Sequence, residues 1–358
     1  MVRAVPIEEF LSAPGVILDV RSPSEYTQGH IPGAISFPLF TDQERAQVGT
    51  CYKHQGRDAA VELGFALSGG KLAGFIADAK RLAGSFPNPR QVRVHCWRGG
   101  MRSGAVAWAL EMAGFDVTTL ISGYKAFRRW SLDQFSVPQP IAILGGMTGT
   151  GKTDILHALA QQGAQVLDLE AIANHRGSSF GALGLPPQPS NEQFENEIAV
   201  RWANFDPHQS VWIEAESKRI GLCRIPEALF WQMERAPVLE ITRPRSERLA
   251  ALVEVYGTAD CEALVTATKR IERRLGGQHA KRAIDLIYEG KLAESVDIIL
   301  NYYDKTYTYD LQRRAVSIYP IDVTGLLPTE SAMQLLKQAA ALTSKINLNL
   351  RQSETVLR

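Results

Sequence analysis

The sequence predicts an α/β protein made of two successive domains, each with a parallel sheet. Short apolar runs typical of buried strands are followed by stretches with helical periodicity in both halves of the chain. With 358 residues, the chain is long for one domain and sufficient for two hydrophobic cores. Two prolines in residues 135–140 break the periodicity between the halves. We therefore predict a first domain over 1–134, a linker over 135–140, and a second domain over 141–358 that ends in helices.

The composition is that of a soluble globular protein, with 45% hydrophobic and 22% charged residues. A net charge of +1 excludes a globally basic nucleic-acid binder, although a local basic patch remains compatible with it. The 4 cysteines include no CxxC pair, so neither a disulfide framework nor a zinc site is indicated. The N-terminus lacks the apolar run of a signal peptide, and we expect no segment of membrane-span length. We predict a cytoplasmic protein without a membrane partner.

The first domain begins with a predicted strand at residues 16–20, followed by a turn. A Gly- and Pro-containing loop over 29–34 precedes a short strand, and helical spacing extends from Thr41 to Arg81. A further strand ends at Cys96, and a helix is predicted from about Ser103 to Met112.

Cys96 is the candidate nucleophile of this domain. Gly99 and Gly100 follow it and allow the backbone to curl, so that several N–H groups can face the sulfur. The helix N-terminus, Arg98 and Arg102 would add positive charge and favour a thiolate. The alternative is a buried structural cysteine, because free cysteine is often buried. Cys51 could be a resolving thiol for Cys96, but nothing in its neighbourhood favours that role over an ordinary core or surface position.

An ordered set of short motifs accompanies Cys96: Asp19-Val-Arg21, Glu25-Tyr26, Gly29-His-Ile-Pro-Gly-Ala34 and Ser122 to Phe127. Together they resemble a rhodanese domain, a sulfurtransferase fold. The resemblance implies a doubly wound sheet with Cys96 at the carboxyl end of a central strand, where open α/β sheets place their ligands. It also implies a persulfide or perselenide on Cys96. Asp19 and Arg21 would then have a structural role.

The second domain opens with a strand, a GxxxxGK[ST] motif and a helix, the order expected of a Walker A phosphate loop. The predicted phosphate-binding residues are Gly146, Thr148, Gly149, Gly151, Lys152 and Thr153. Backbone N–H groups and Lys152 would hold the phosphates, and Thr153 could bind Mg²⁺. Two later stretches could supply the second acidic motif, Asp168-Leu-Glu170 or Glu214-Ala-Glu216, and the spacing does not choose between them.

Three polar clusters are candidate contacts for a polar or anionic substrate, and surface solvation is the alternative for each. They comprise His175, Arg176, Ser178 and Ser179; then Glu216, Lys218 and Arg219; and finally Arg273 and Arg274. Tyrosines between 302 and 309 could stack on bases, although packing explains them as well.

Taken together, the Cys96 loop, the Walker loop and the clusters at 174–181 and 216–221 resemble the tRNA 2-selenouridine synthase family over nearly the whole chain. The resemblance implies replacement of sulfur by selenium in 2-thiouridine at the wobble position of tRNA. It implies selenophosphate and geranyl diphosphate as substrates, an S-geranylated intermediate, and no tightly bound cofactor apart from an optional Mg²⁺. The implied partners are tRNA and a selenophosphate-producing enzyme. The phosphate loop would then serve prenyl transfer rather than ATP hydrolysis.

Two other classes of function stay open at this stage. One is a P-loop small-molecule kinase or NTPase whose rhodanese domain supplies sulfur. The other is a regulatory binding protein with an inactive rhodanese domain, although such a domain is expected to lack the cysteine. The sequence does not specify the tRNA species or the order of the two half-reactions.

Overall fold

The computed structural model describes the backbone of residues 2–356 and the side chains of residues 2–342. The chain forms two compact units. The first contains the residues up to Gln134 together with Glu192–Val200, and the second contains Phe135–Asn191 and the residues from Arg201 onward.

The first unit is built on a five-stranded sheet in which all neighbouring strands are parallel. Its strands are β1 (Arg3–Val5), β2 (Val16–Asp19), β3 (Ala34–Ser36), β4 (Gln91–His95) and β5 (Asp116–Leu120). Their order is β1-β5-β4-β2-β3, which makes β4 the central strand. Cys96 follows β4 directly and therefore lies at the carboxyl edge of the sheet. The predicted α/β class and parallel sheet are confirmed for this unit.

Helices cover both faces of this sheet. They are α1 (Ile7–Ser12), α2 (Pro23–Gln28), α3 (Asp42–Gln55), α4 (Arg57–Ser68), a 3₁₀ turn (Gly69–Lys71), α5 (Leu72–Ala83), α6 (Met101–Met112) and α7 (Gly123–Gln134). Local sequence determines the start of two of them, because Ser22 with Glu25 and Thr41 with Glu44 form capping boxes. On one face Leu18, Val94 and Leu110 belong to one buried core. On the other face Phe10 and Phe127 belong to a second.

One segment contradicts the expectation that no part of the chain has membrane-span length. Residues Arg57–Ala83 form a helical stretch of 27 residues that is long and apolar enough to cross a membrane, by length and composition only. It consists of α4, the 3₁₀ turn and α5, so its apolar residues are spread over three helical pieces. Helices of soluble proteins meet the same criterion. The segment alone is therefore weak evidence for a membrane span.

The second unit also contains a parallel five-stranded sheet, as the sequence predicts. The strands of this unit are β6 (Ile141–Gly146), β7 (Gln165–Val166), β8 (Val211–Glu214), β9 (Arg219–Ile220), β10 (Cys223–Arg224), β11 (Val238–Thr242) and β12 (Ile318–Asp322). The sheet order is β12-β11-β6-β8-β7, and β9 and β10 pair separately as antiparallel strands. The central strand β6 leads into the phosphate loop.

The remaining helices are α8 (Lys152–Gln161), α9 (Leu169–Ala173), α10 (Asn191–Ala203), α11 (Glu227–Arg235), α12 (Arg245–Tyr256), α13 (Cys261–Leu275), α14 (Gly277–Tyr288), α15 (Leu292–Arg313) and α16 (Pro328–Val356). Residues of α8 and α16 form a core with the sheet. Helices α13, α14 and α15 have an apolar core of their own, which includes Leu264, Ile271 and Ile299. A layer made only of helices therefore accompanies the sheet.

Most of α10 belongs to the first unit, although the predicted second domain includes its residues. Asn196 Nδ2 donates to Tyr124 Oη at 2.8 Å and to the His30 carbonyl at 2.9 Å. Arg128 pairs with Glu195 at 2.6 Å. These contacts join residues far apart in sequence. A domain boundary drawn at one point of the chain therefore could not place Glu192–Val200 in the first unit.

A buried ion pair lies beneath the carboxyl edge of the first sheet. Asp19 and Arg21 are both fully buried and approach to 2.6 Å. Arg21 also donates to the Gly29 carbonyl at 2.7 Å, and its guanidinium lies 3.7 Å from the Tyr124 ring centroid. Burial lowers the pKa of the neighbouring His95 to about 4, so this imidazole is neutral at physiological pH. The pair holds β2 and the loop at Gly29 together, consistent with the structural role predicted for both residues.

Replacing Asp19 by Ala leaves the Arg21 charge buried without its partner. We expect the unfolding free energy of the first unit to fall by about 3–5 kcal/mol. The control is Asp78→Ala, which removes the exposed Arg81 pair and should cost about 1 kcal/mol or less. Scanning calorimetry of the whole chain measures both effects. Equal effects of the two substitutions would contradict the structural role.

Candidate active site

Cys96 lies in a loop that encloses its sulfur between the end of β4 and the start of α6. The residue is only 3% exposed. The Gly100 N–H donates to Sγ at 3.4 Å, and the Ser103 hydroxyl lies 3.3 Å from Sγ. The sulfur is thus largely covered by the protein, and the predicted curl of amides toward it is present.

The hydrogen bonds at Sγ outweigh the effect of burial on the thiol. Burial alone raises the pKa of Cys96, whereas bonds from Ser103 and from the backbone of Gly100 and Arg98 lower it. The net result is a pKa of Cys96 below its usual value. The thiolate is therefore more readily formed than that of an unperturbed cysteine, as expected for a nucleophile.

The Arg102 guanidinium, which was expected to stabilise the Cys96 thiolate, forms an ion pair with a carboxylate instead. It pairs with Glu25 at 2.6 Å, and Arg45 approaches the same carboxylate at 3.7 Å. The groups that lower the pKa of Cys96 most are Ser103 and backbone amides, and from Arg98 it is the backbone N–H. The prediction that two guanidinium groups stabilise the anion is therefore corrected: Arg102 braces α2 and α6, and the exposed Arg98 side chain is free to meet a ligand.

Two glycines make the loop conformation sterically accessible. Gly99 has φ +63°, and a Cβ there would lie 2.4 Å from the Leu120 carbonyl oxygen. Gly123 has φ +56°, and its Cβ would lie 2.3 Å from the Cys96 carbonyl oxygen. The N–H groups of Tyr124 and Lys125 donate to the Cys96 and Trp97 carbonyls at 2.8 and 3.0 Å. The start of α7 therefore holds the Cys96 loop in place.

The phosphate loop of the second unit has the conformation expected from its motif. It connects β6 to α8, which begins at Lys152, and Gly149 and Gly151 both have φ +83°. Lys152 Nζ donates to the Gly146 carbonyl at 2.9 Å, so the ammonium lies over the loop. The helix N-terminus and this ammonium together are suited to an anionic phosphate.

Both acidic stretches converge on this loop. Glu170, Glu214 and Glu216 have carboxylate oxygens within 4.8 Å of one another. Thr153 Oγ1 lies 3.5 Å from Glu170 Oε2. Asp168 is not part of the cluster, because it caps α9 through the Ala171 N–H and pairs with His157 at 2.8 Å. Glu170 lies in α9 and Glu214 ends β8. Because the two residues are far apart in sequence, spacing alone could not predict that both belong to one cluster.

Carboxylates this close repel one another unless a cation or a proton compensates them. Burial, followed by the charges of neighbouring groups, raises the pKa of Glu170 and of Glu216, and burial raises the pKa of Glu214. Glu214 Oε1 is buried and has no hydrogen-bond partner within the described residues. Carboxylate and hydroxyl oxygens are the ligands Mg²⁺ prefers, so this donor set fits the Mg²⁺ expected at Thr153.

A cleft of about 1150 Å³ opens above the phosphate loop. Of the candidate substrate residues, it is lined by Arg176, Ser178, Ser179, Glu216, Arg273 and Arg274, together with all six predicted phosphate-binding residues. The cleft also has Arg270 and Tyr302, Tyr303 and Tyr307 in its wall. Basic side chains, Lys152 and four arginines, and acidic side chains, Asp154, Glu170, Glu214, Glu216 and Asp310, line the cleft in equal number.

Three candidates lie elsewhere. His175 is buried behind the cleft, where the backbone of Gly181 and Gly221 packs against its ring. Lys218 pairs with Glu227 at 3.0 Å, and Arg219 is exposed in β9. The side chain of Arg176, which does line the cleft, is anchored by the Leu183 carbonyl at 2.8 Å. Arg270 belongs to the same basic helix as Arg273 and Arg274, and tertiary packing brings it to the cleft wall together with the apolar face of α12 at Leu252.

Replacing Ser103 by Ala removes the hydroxyl from Sγ, so we expect the Cys96 thiolate to be less stable. Alkylation of the Cys96 peptide by iodoacetamide, followed by mass spectrometry against pH, should move to higher pH and be about tenfold slower at neutral pH. Ser12→Ala, in α1, is the control. An unchanged pH profile in Ser103→Ala would show that the hydroxyl does not stabilise the anion.

Comparison with known proteins identifies the family of this chain. The family described as the tRNA 2-selenouridine synthase AAA domain matches residues 139–322, and the rhodanese-like domain matches residues 6–129. The tRNA 2-selenouridine synthase of Salmonella agona strain SL483 is 36% identical over 355 residues, which cover 88% of this chain and 94% of that protein. That of Salmonella schwarzengrund strain CVM19633 is 37% identical over 341 residues, covering 84% and 91%. The predicted order of a rhodanese-like domain and a P-loop domain is confirmed, and the chain belongs to the tRNA 2-selenouridine synthase family.

Proposed function

We propose that this protein replaces sulfur by selenium in 2-thiouridine at the wobble position of tRNA. Selenophosphate would supply the selenium, and geranyl diphosphate would activate the sulfur through an S-geranylated intermediate. The observation that carries the proposal is the presence, in one chain of this family, of a thiol with a lowered pKa and a phosphate loop that opens into a wide cleft lined by arginines. We place the reaction in the cytoplasm and expect a selenophosphate-producing enzyme as supplier.

The phosphate loop is the proposed site of sulfur activation. The sulfur of 2-thiouridine would attack C1 of geranyl diphosphate, the C1–O bond would break, pyrophosphate would leave, and N3 would lose its proton. Lys152 and the N–H groups of Gly149 to Thr153 would hold the diphosphate and stabilise the departing charge. Thr153, Glu170, Glu214 and Glu216 would hold Mg²⁺, which neutralises diphosphate charge when bound.

The selenium exchange is assigned to the Cys96 site. Selenophosphate, water and the S-geranylated base would give phosphate, geranylthiol and 2-selenouridine, so the exchange as a whole is redox neutral. Forming a perselenide on Cys96 from selenide and a thiol is a two-electron oxidation. That form would also need a thiol to reduce the S–Se bond afterwards. In either form the N–H groups and hydroxyl at Sγ would stabilise the chalcogen anion.

One observation favours a second candidate, a P-loop kinase or NTPase with a sulfur-supplying rhodanese domain. The acidic cluster beside Thr153 could bind Mg²⁺ together with a nucleoside triphosphate as readily as with a prenyl diphosphate. Magnesium-dependent ATP turnover without tRNA, combined with no response to geranyl diphosphate, would establish this function instead.

Separate variants should isolate the two half-reactions. With an anticodon stem-loop containing 2-thiouridine, Cys96→Ala should form the S-geranyl nucleoside but no 2-selenouridine. Lys152→Ala should form neither from 2-thiouridine, with geranylation reduced by about 100-fold or more, because the donor that stabilises the departing charge is lost. Mass spectrometry of digested nucleosides measures both products.

The matched controls are Cys261→Ala and Lys337→Ala, which change an exposed cysteine and an exposed lysine. Both should retain the two products. Loss of geranylation in Cys96→Ala to the same extent as selenation would refute the assignment of the steps to separate sites.

The arginines of α13 should contribute to tRNA affinity by contacting phosphates. We expect Arg273→Ala and Arg274→Ala each to weaken binding and to reduce the slope of log K against log salt by roughly 0.7–0.9 per lost contact. Filter binding over a salt series gives this slope. Arg57→Ala, an exposed arginine of α4, is the control. A slope that stays constant in both α13 variants would remove these residues from the RNA interface.

A further inference from the structure

A small apolar cavity adjoins the phosphate cleft. Its volume is about 30 Å³, and helices α12 to α15 supply most of its wall, including Leu252, Leu264, Val296 and Leu300. Thr148, Ser178, Leu252, Tyr256 and Tyr303 line both the cavity and the cleft. The two spaces therefore share one wall.

This apolar wall is in direct contact with the phosphate loop. A Cβ at Gly149 would lie 3.1 Å from Leu252 Cγ, so the loop and α12 touch at this point. Arg248, which is buried, donates from Nε to the Thr148 carbonyl at 2.9 Å, and its guanidinium pairs with Asp304 of α15. These bonds hold α12 and α15 against the loop. A ligand whose phosphates lie on the loop would therefore find the apolar side chain of Leu252 beside them.

The side chains that line the cavity favour a hydrocarbon group over a polar one. Its side chains are mainly aliphatic and aromatic. The Ser295 hydroxyl donates to the Ala283 carbonyl at 2.9 Å, and Ser178 Oγ accepts from the Phe180 N–H at 3.2 Å. A nucleobase placed there would lose its hydrogen bonds to water without equivalent replacement. Apolar cavities of this kind stay dry and bind apolar groups.

We propose that the cavity and the adjoining wall of Leu252, Tyr256 and Tyr303 form the subsite for the hydrocarbon end of an allylic prenyl diphosphate. This inference rests on the proposed function, since it requires a prenyl diphosphate on the phosphate loop. A volume of 30 Å³ is about that of one water molecule, so the cavity receives only the end of the chain. The rest of the chain lies along the wall within the cleft.

The test is a comparison of binding by calorimetry, using the full chain with Mg²⁺ and without tRNA. The ligands are pyrophosphate, geranyl diphosphate and farnesyl diphosphate. Wild type should bind geranyl diphosphate more tightly than pyrophosphate, because apolar surface is buried. Val296→Phe fills the cavity and should weaken geranyl diphosphate about tenfold while leaving pyrophosphate unchanged. Leu264→Ala enlarges it and should shift the preference toward farnesyl diphosphate.

The controls are Val137→Phe and Leu327→Ala, two exposed positions in the same unit. If wild type binds geranyl diphosphate no more tightly than pyrophosphate, the prenyl substrate itself is wrong and the subsite falls with it. If wild type prefers geranyl diphosphate but neither cavity variant changes its selectivity, the chain binds elsewhere and only the subsite is overturned. Should Val296→Phe also lose pyrophosphate, Leu264→Ala decides, because misfolding cannot produce a preference for the longer chain.

Discussion

The sharp turn between a central parallel strand and the helix that follows it is the constraint on which both candidate sites depend. At this turn the chain reverses direction within a few residues, and the free N–H groups of the helix start face the point it encloses. Gly99 makes the turn possible after β4, and Gly149 and Gly151 make it possible after β6. The turns require a left-handed backbone at these positions, which residues other than glycine rarely adopt. The two units thus present an anion site at the same topological position of unrelated sheets.

The two sites differ in how their buried charges are balanced. Beneath Cys96, the Asp19 carboxylate has its counter-ion in Arg21, and the neighbouring His95 is neutral. Beside Thr153, three carboxylates converge and share the nearby charge of Lys152. The Asp19–Arg21 pair is balanced in charge without a ligand, and it fixes the position of a loop. The three carboxylates leave repulsion that a cation relieves, which is why the acidic cluster is the stronger indication of a ligand.

The Cys96 site also shows that a nearby charge need not act on the nucleophile. Sequence proximity placed Arg102 beside the thiolate, but its guanidinium has a carboxylate partner at hydrogen-bond distance in Glu25. The thiolate is instead stabilised by donors that no charge pattern reveals: the Ser103 hydroxyl and the backbone amides of Ser103, Gly100 and Arg98. Dipoles held rigidly by the fold can replace full charges here because the site is shielded from water.

The alternation of strand and helix patterns along the chain was enough to predict the α/β class, and short runs of neighbouring residues were enough to predict the Cys96 turn and the phosphate loop. The Gly-Gly turn after an apolar strand and the GxxxxGK[ST] motif specify backbone geometry without reference to the rest of the chain. Only the tertiary structure decided which carboxylates meet at Thr153, that Arg102 is paired, that His175 lies behind the cleft and that α10 packs mainly with the first unit. These features depend on strand order and on helix packing between residues tens of positions apart. Such contacts leave no periodic pattern in the sequence, because the packing of strands and helices in the folded chain determines which residues meet.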